Sequence, residues 1–150
     1  MNSTFSFGML KPDCLQRQLE AEAFRRITCS GLQVPLKKQV RLTQNDVSVL
    51  YSAVKDKPFY EEMSYFLTSS DVVVFIATGG GLDTIKLLNR IVGFTDPSLA
   101  KKGTLRELGQ NVRRNIAHSS SNIEEALKSL HHFFLNEELV NDIIKCSLTR

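Results

Sequence analysis

The sequence predicts an α+β fold, a ferredoxin-like split βαβ sandwich in which helices pack on a four-stranded antiparallel sheet. Segments with alternating or continuous apolar residues, typical of strands, lie between segments whose apolar residues recur every three or four positions, typical of amphipathic helices. These segments do not follow the regular repeat of a doubly wound parallel sheet, which favours the split arrangement. A chain of 150 residues is long enough for one core, and we expect a single domain over 1–150.

The first predicted strand covers 5–11, where FSFGMLK alternates between the two faces of a sheet and ends at Lys11. Pro12 interrupts this pattern and opens a helix whose apolar residues recur every fourth position, and Gly31 ends that helix. A second strand is predicted over 32–42.

The middle of the chain predicts three further helices and a buried strand. Thr43 caps a helix whose apolar face includes Tyr51, and the next helix has an apolar stripe that begins at Phe59. Both aromatic residues are core residues by default, although an aromatic ring at the mouth of a cleft can stack on a base. The unbroken apolar run 72–77 predicts a central strand, and a helix follows over 83–92.

A long irregular segment, 94–112, precedes the last predicted helix. Loops of this length are either functional or packed on themselves. The apolar stripe of the helix ends at Phe134, and Ser121 with Glu124 three residues later predicts a capping box at its start. His118 is therefore expected just before the N-terminus of a helix.

The composition excludes several classes of protein. With 42% hydrophobic and 23% charged residues the chain resembles an ordinary globular domain. It has no run of about 18 apolar residues for a membrane span and no signal-peptide pattern. A net charge of +3 does not indicate binding to specific nucleic acid. The three cysteines lack a CxxC spacing and fit neither a zinc site nor a disulfide framework, so we expect a reducing, cytoplasmic location.

The stretch RRNIAHSSSN, residues 113–122, contains the main candidate for chemistry. A neutral imidazole is the usual nucleophile or general base near pH 7, and a nearby helix N-terminus would favour a bound phosphate. The alternative is that His118 is a structural residue of a turn. Asn115 lies three positions before His118, so the two share a site only if the chain bends between them, whereas Ser120 faces the same way as His118 in extended chain.

Five cations lie near predicted element ends or in loops. They could converge on a polyphosphate through charge-assisted hydrogen bonds, or they could form a solvated surface, and the residues alone leave both interpretations open. These cations are Lys11, Arg90, Arg106, Arg113 and Arg114.

Five stretches taken together resemble the nucleoside diphosphate kinase family over about residues 4–134. They follow the family's order and spacing: TFSFGMLKPDCLQR (4–17), YSAVKDKPFYEEM (51–63), VGFTDP (92–97), GTLRE (103–107) and RNIAHSS (114–120). The resemblance implies a kinase that moves the γ-phosphate of an NTP to an NDP by a ping-pong mechanism through a phosphohistidine. It also implies a homo-oligomer, hexamer or tetramer, and Mg²⁺ carried by the nucleotide phosphates rather than by protein ligands.

The resemblance assigns roles residue by residue. It implies that His118 is the nucleophile and that Lys11, Tyr51 and Ser120 complete the catalytic set. The nucleotide-binding positions it implies are Lys11, Phe59, Arg90, Thr95, Arg106, Val112 and Asn115. In the family Phe59 would stack on the base, and Asn115 would hydrogen-bond the sugar hydroxyl.

Three departures from the family pattern predict reduced activity. Asn89 occupies the spacing of a family arginine, and Arg90 comes one residue late, which is about 100° of rotation on a helix. The family signature HGSDS reads HSSSN here, and Ser129 replaces the acidic residue that holds the histidine ring. The alternative function is a weak or inactive nucleotide-binding or oligomeric interaction protein on the same fold.

Overall fold

The computed structural model describes residues 3–79, 81, 83–134 and 138–148. Four strands form one sheet in the order β2-β3-β1-β4, and each pair of neighbours is antiparallel. The strands are β1 (Phe5–Leu10), β2 (Gln33–Val40), β3 (Val72–Thr78) and β4 (Ala117–Ser119). The predicted four-stranded antiparallel sheet with packed helices is confirmed.

Helices connect the strands and cover the sheet. They are α1 (Pro12–Gln16), α2 (Glu20–Cys29), α3 (Gln44–Leu50), α4 (Tyr60–Thr68), α5 (Thr84–Val92), α6 (Ile123–Phe134) and α7 (Glu138–Leu148). Short 3₁₀ turns occur at Ser52–Val54, Pro97–Leu99 and Arg106–Leu108. None of the helices in the described ranges is long and apolar enough to cross a bilayer.

The core has two halves, one on each face of the sheet. Because side chains alternate along a strand, β1 sends Phe7 and Met9 to a cluster with α3, α4 and α6, and Leu10 to a cluster with α2 and α5. The ring of Phe75 on β3 packs over its paired residue Gly8 on β1, where an added Cβ would lie 2.3 Å from the ring.

The single helix predicted from Pro12 to Gly31 is wrong, because two helices occupy this segment. The chain turns at Gln18, which has a φ of +57°. The N–H of Gln18 bonds the carbonyl of Leu15, and the N–H of Leu19 bonds the carbonyl of Cys14, which closes α1 as a Schellman motif. The every-fourth-residue apolar spacing continues across this break and conceals it.

The predicted capping box of Ser121 and Glu124 is also wrong, by one residue. The helix α6 begins at Ile123, so Asn122 precedes it and accepts the N–H of Glu125 at 2.9 Å. The Glu125 carboxylate in turn accepts the N–H of Ser121 at 2.9 Å. His118, for which a place in a turn was the alternative, lies in the short strand β4, and β4 shows no sequence periodicity because it has only three residues.

Candidate active site

The short strand β4 places His118 at the edge of the sheet. His118 pairs with Met9 of β1, and its side chain is partly buried. The ring of Tyr51, the residue after α3, lies 4.7 Å from the imidazole, centroid to centroid, with a 46° tilt. The histidine is thus held between a central strand and an aromatic ring.

A strained bend at Ile116 brings the chain before β4 into the same site. Ile116 has a φ of +79°, a left-handed conformation that costs a β-branched residue free energy. Three hydrogen bonds hold it: the Ile116 N–H donates to Asp13 Oδ2 at 3.0 Å, its carbonyl accepts from the Lys11 N–H at 2.8 Å, and the Ala117 N–H donates to the Asn115 carbonyl at 2.9 Å. The chain therefore bends between Asn115 and His118, as a shared site requires.

The side-chain amide of Asn115 connects three segments of the chain: the end of β1 at Lys11, the loop at Thr95, and its own loop at Val112. The Lys11 ammonium donates to Asn115 Oδ1 at 2.6 Å and to the Arg113 carbonyl at 3.3 Å. Asn115 Nδ2 donates to the carbonyls of Thr95 at 2.9 Å and Val112 at 3.1 Å. Lys11 and Asn115 are buried, with 6% and 1% of their surface exposed, whereas Thr95 and Val112 are exposed. Four predicted site residues thus meet at one buried amide.

Burial and mutual repulsion determine the protonation of this site. Burial, together with the nearby charges of Arg106 and Arg113 and against the attraction of Asp13, lowers the pKa of Lys11 to about 7. Burial also lowers the pKa of His118 to about 3, helped by the charges of Lys11 and Arg106. The imidazole is therefore neutral at neutral pH and has a free ring-nitrogen lone pair.

Arg106 is fixed beside β4 by two main-chain contacts. Its Nε donates to the Ala117 carbonyl at 3.2 Å, and its Nη1 donates to the Gly93 carbonyl at 3.0 Å, just after α5. Burial lowers its pKa, although a guanidinium stays charged at any physiological pH. Arg106 thus presents a cation held in a fixed orientation next to the histidine strand.

Two buried hydroxyls near the histidine have no hydrogen-bond partner within the described part of the chain. They are Tyr51 Oη and Ser120 Oγ. Burial raises the pKa of Tyr51, so its hydroxyl keeps its proton and can donate it in a hydrogen bond. A buried polar group without a partner costs free energy, and such groups in native proteins are often satisfied by a ligand or water.

Comparison with known proteins decides the family. A sequence profile described as nucleoside diphosphate kinase matches residues 4–139. The chain belongs to the nucleoside diphosphate kinase family. The enzyme of that name from Kosmotoga olearia is 34% identical over 137 residues, 91% of this chain and 92% of that protein. The one from Staphylococcus saprophyticus is 37% identical over 135 residues, 89% of each chain.

Solved structures of nucleoside diphosphate kinases share the fold. The apo enzyme from Encephalitozoon cuniculi superposes with a TM-score of 0.83 at 28% identity, over 87% of this chain and 88% of that one. The halophilic enzyme from Halobacterium salinarum, solved in complex with CDP, also gives 0.83, at 27% identity over 91% and 90% of the two chains. The CDP is bound to that protein.

Family membership confirms the function predicted from the sequence. A nucleoside diphosphate kinase is a phosphotransferase that works by a ping-pong mechanism and needs a divalent metal. The alternative, a non-catalytic interaction protein on the same fold, is not favoured.

At the end of α5, Asn89 contacts the histidine strand, whereas its neighbour Arg90 is exposed. The Asn89 Oδ1 accepts from Ser119 Oγ of β4 at 2.5 Å, which ties α5 to the histidine strand. Arg90 is exposed in the last turn of α5, where it lines a cavity of about 350 Å³ with Phe94, Lys101 and others. The contact of Arg90 with nucleotide stays a prediction.

Phe59 precedes α4 and is partly buried, and the guanidinium of Arg113 lies 4.2 Å from its ring centroid.

Ser129 is buried in α6, and among the residues that the structure covers it makes no hydrogen bond to His118. Within the described part of the chain, Ser129 therefore does not replace the hydrogen bond that the family's carboxylate makes to the histidine ring.

The sequence did not identify Asp13 or Asn89 as parts of the site. Asp13 reads as an acidic residue in the first turn of a helix, and nothing in the local pattern reveals its bond to Ile116, which is 103 residues away. From the sequence, Asn89 is notable only because it occupies the position of a family arginine, and its hydrogen bond with Ser119 is not apparent. Both roles depend on long-range contacts.

Proposed function

We propose that His118 accepts the phosphate in this kinase and passes it to a second nucleotide. The observation that carries the proposal is a neutral, partly buried imidazole whose low pKa results from burial and from two flanking cations, Lys11 and Arg106. A neutral ring nitrogen can attack phosphorus, and the same cations then stabilise the dianionic group that the ring carries.

In the first half-reaction a ring nitrogen of His118 forms a bond to the γ-phosphorus of an NTP. The bond from that phosphorus to the bridging β-phosphate oxygen breaks, its electrons stay on the oxygen, and the NDP leaves. In the second half-reaction a terminal oxygen of another NDP attacks the phosphohistidine, the N–P bond breaks, and the imidazole becomes neutral again. Atoms and charges therefore balance over the two steps without another reactant.

Lys11 and Arg106 have separate parts in this transfer. A phosphate beside Lys11 would raise the pKa of the ammonium from about 7, so nucleotide binding keeps Lys11 charged. Arg106 is held in place before nucleotide arrives and does not need to reorient. The hydroxyls of Tyr51 and Ser120 donate to oxygens that gain charge, which would satisfy both buried groups.

The remaining predicted residues hold the nucleotide. Phe59 stacks on the base, and Val112, which is exposed on the loop that carries Arg113, contacts the nucleotide beside it. Asn115 binds the sugar hydroxyl through its amide, and Thr95 and Arg90 contact the phosphates.

Mg²⁺ is the proposed divalent metal, and it is held by the nucleotide phosphates. Across the described residues, no group of three His, Cys, Asp or Glu side chains could hold a metal ion. The charged side chains beside His118 are cations, which suit phosphate oxygens rather than a metal. When bound, Mg²⁺ neutralises charge on the β- and γ-phosphates.

The proposal also expects His118 to be phosphorylated more slowly in this protein than it would be with a carboxylate at position 129. A carboxylate hydrogen-bonded to the imidazole fixes its tautomer and stabilises the charge that develops on the ring. Ser129 provides no such charge, although the strand pairing of β4 and the Tyr51 ring still orient the histidine. The single-domain organisation, the cytoplasmic location and a hexamer or tetramer stay predictions.

The test is labelling with Mg-[γ-³²P]ATP. The protein should acquire phosphate that is labile in acid and stable in alkali, and His118→Ala should acquire none. Label that survives in His118→Ala would place the acceptor elsewhere. No label on the wild type, with nucleotide binding intact, would contradict the proposed acceptor.

A further inference from the structure

Arg113 covers the ring proposed to carry the base. Its guanidinium carbon lies 4.2 Å from the centroid of Phe59, within the distance of a cation–π contact. The ring also packs on the core cluster beside α4. A base that stacks on Phe59 must therefore meet the guanidinium of Arg113.

The main chain of Arg113 is fixed, so only its side chain can adjust. Its carbonyl accepts from the Lys11 ammonium at 3.3 Å, and its N–H donates to Asn111 Oδ1 at 2.9 Å. The same residue thus touches the phosphate end of the site through its main chain and the base end through its side chain. This position spans the gap that a bound nucleotide would fill.

We propose that Arg113 is a second stacking partner for the base and that it makes this enzyme prefer purine over pyrimidine nucleotides. The proposal rests on the proposed function, in which Phe59 carries the base. The base enters between the ring and the guanidinium, and the long Arg113 side chain withdraws by about the 3.4 Å thickness of a base. The base is then held between two planar groups.

The preference follows from the area of the base. Guanidinium planes stack on nucleobases as they do on aromatic rings. The two fused rings of a purine can cover both Phe59 and the guanidinium, whereas the single ring of a pyrimidine covers less of each. Arg113 exchanges one stacked partner for another when a purine binds, but it loses part of its contact when a pyrimidine binds.

The experiment measures dissociation constants for GDP, ADP, CDP and UDP by titration calorimetry on the full chain. Arg113→Gln keeps a polar side chain and removes the guanidinium. We expect it to weaken purine binding roughly threefold to fivefold and to leave pyrimidine binding within about a factor of two. Arg113→Lys keeps the charge without the plane and should lose the preference as well. It also provides a second variant if the first does not fold.

Arg114→Gln is the matched control. Arg114 lies on the same loop, and its guanidinium is 4.6 Å from the ring of Phe66, so it makes a contact of the same kind elsewhere. Its loss should leave the ratio of purine to pyrimidine constants unchanged. In a Phe59→Ala background Arg113→Gln should have a smaller effect, because the two groups hold one base together.

Three results would overturn the inference. Tighter binding of all four nucleotides by Arg113→Gln would mean that the arginine only competes with the base. Equal weakening of all four, restored by Arg113→Lys, would mean that only its charge acts, on the phosphates. An unchanged ratio would remove any role in selectivity. Binding needs no turnover, so failure of His118 to acquire label would contradict the proposed function and leave this result standing.

Discussion

Asn115→Ala tests the buried network that shapes the site. The change removes one hydrogen bond to the Lys11 ammonium, at 2.6 Å, and two bonds to the carbonyls of Thr95 and Val112. A bond to a charged group contributes about 1.5–3 kcal/mol and a neutral one about 1 kcal/mol. The two carbonyls lie near the surface and can bind water instead, so we expect the free energy of unfolding to fall by about 3 kcal/mol.

The assay is urea denaturation at pH 6 and at pH 8.5. The pKa of Lys11 is about 7, so the ammonium is charged at the lower pH and largely neutral at the higher one. The loss caused by Asn115→Ala should therefore be larger at pH 6, by about 1 kcal/mol. Asn111→Ala is the control, because its exposed amide accepts only the N–H groups of Arg113 and Arg114. A loss below about 1 kcal/mol at both pH values would refute the network as a source of stability.

Three further predictions concern single groups. Tyr51→Phe removes a buried hydroxyl that has no partner in the described residues, so it should slow phosphotransfer without lowering the melting temperature; a large loss of stability would contradict this. Gly8→Ala places a Cβ 2.3 Å from the Phe75 ring and should cost about 1–3 kcal/mol in urea denaturation, and an unaffected midpoint would show that the ring moves freely. Between pH 7 and 8.5 the unfolded chain keeps the proton on Lys11 and the folded chain loses it, so the contribution of Lys11 to the free energy of unfolding should rise with pH. Lys11→Met should flatten this rise. An equal slope in both proteins would argue against the low pKa of Lys11.

The strands and most helices were predictable because their signals are local. The apolar run that became β3 and the alternation that became β1 reflect burial on a sheet. Thr43 caps α3 as predicted, and the structure adds that it does so in a box with Asp46. The break at Gln18 was not predictable, because a left-handed glutamine inside a continuous apolar stripe leaves no mark in the spacing. β4 was missed because three residues are too few to show a period.

The site was predictable only in part, for a related reason. Family motifs predicted His118 and Lys11 as site residues, and a site shared by Asn115 and His118 required the bend that the structure has at Ile116. The carboxylate that holds the bend, Asp13, lies far away in sequence and could not be found from local pattern. Contacts across the fold, rather than residue types, determine which neighbours of a motif take part.

The most direct measurement of the central claim is a transfer experiment with isolated phosphoprotein. The protein is labelled with Mg-[γ-³²P]ATP, freed of nucleotide by gel filtration, and mixed with Mg-GDP alone. If a phosphate on His118 is the intermediate, the label should leave the protein and appear as [γ-³²P]GTP, with no other phosphate donor present. Label that stays on the protein, or that is released only as inorganic phosphate, would contradict the account.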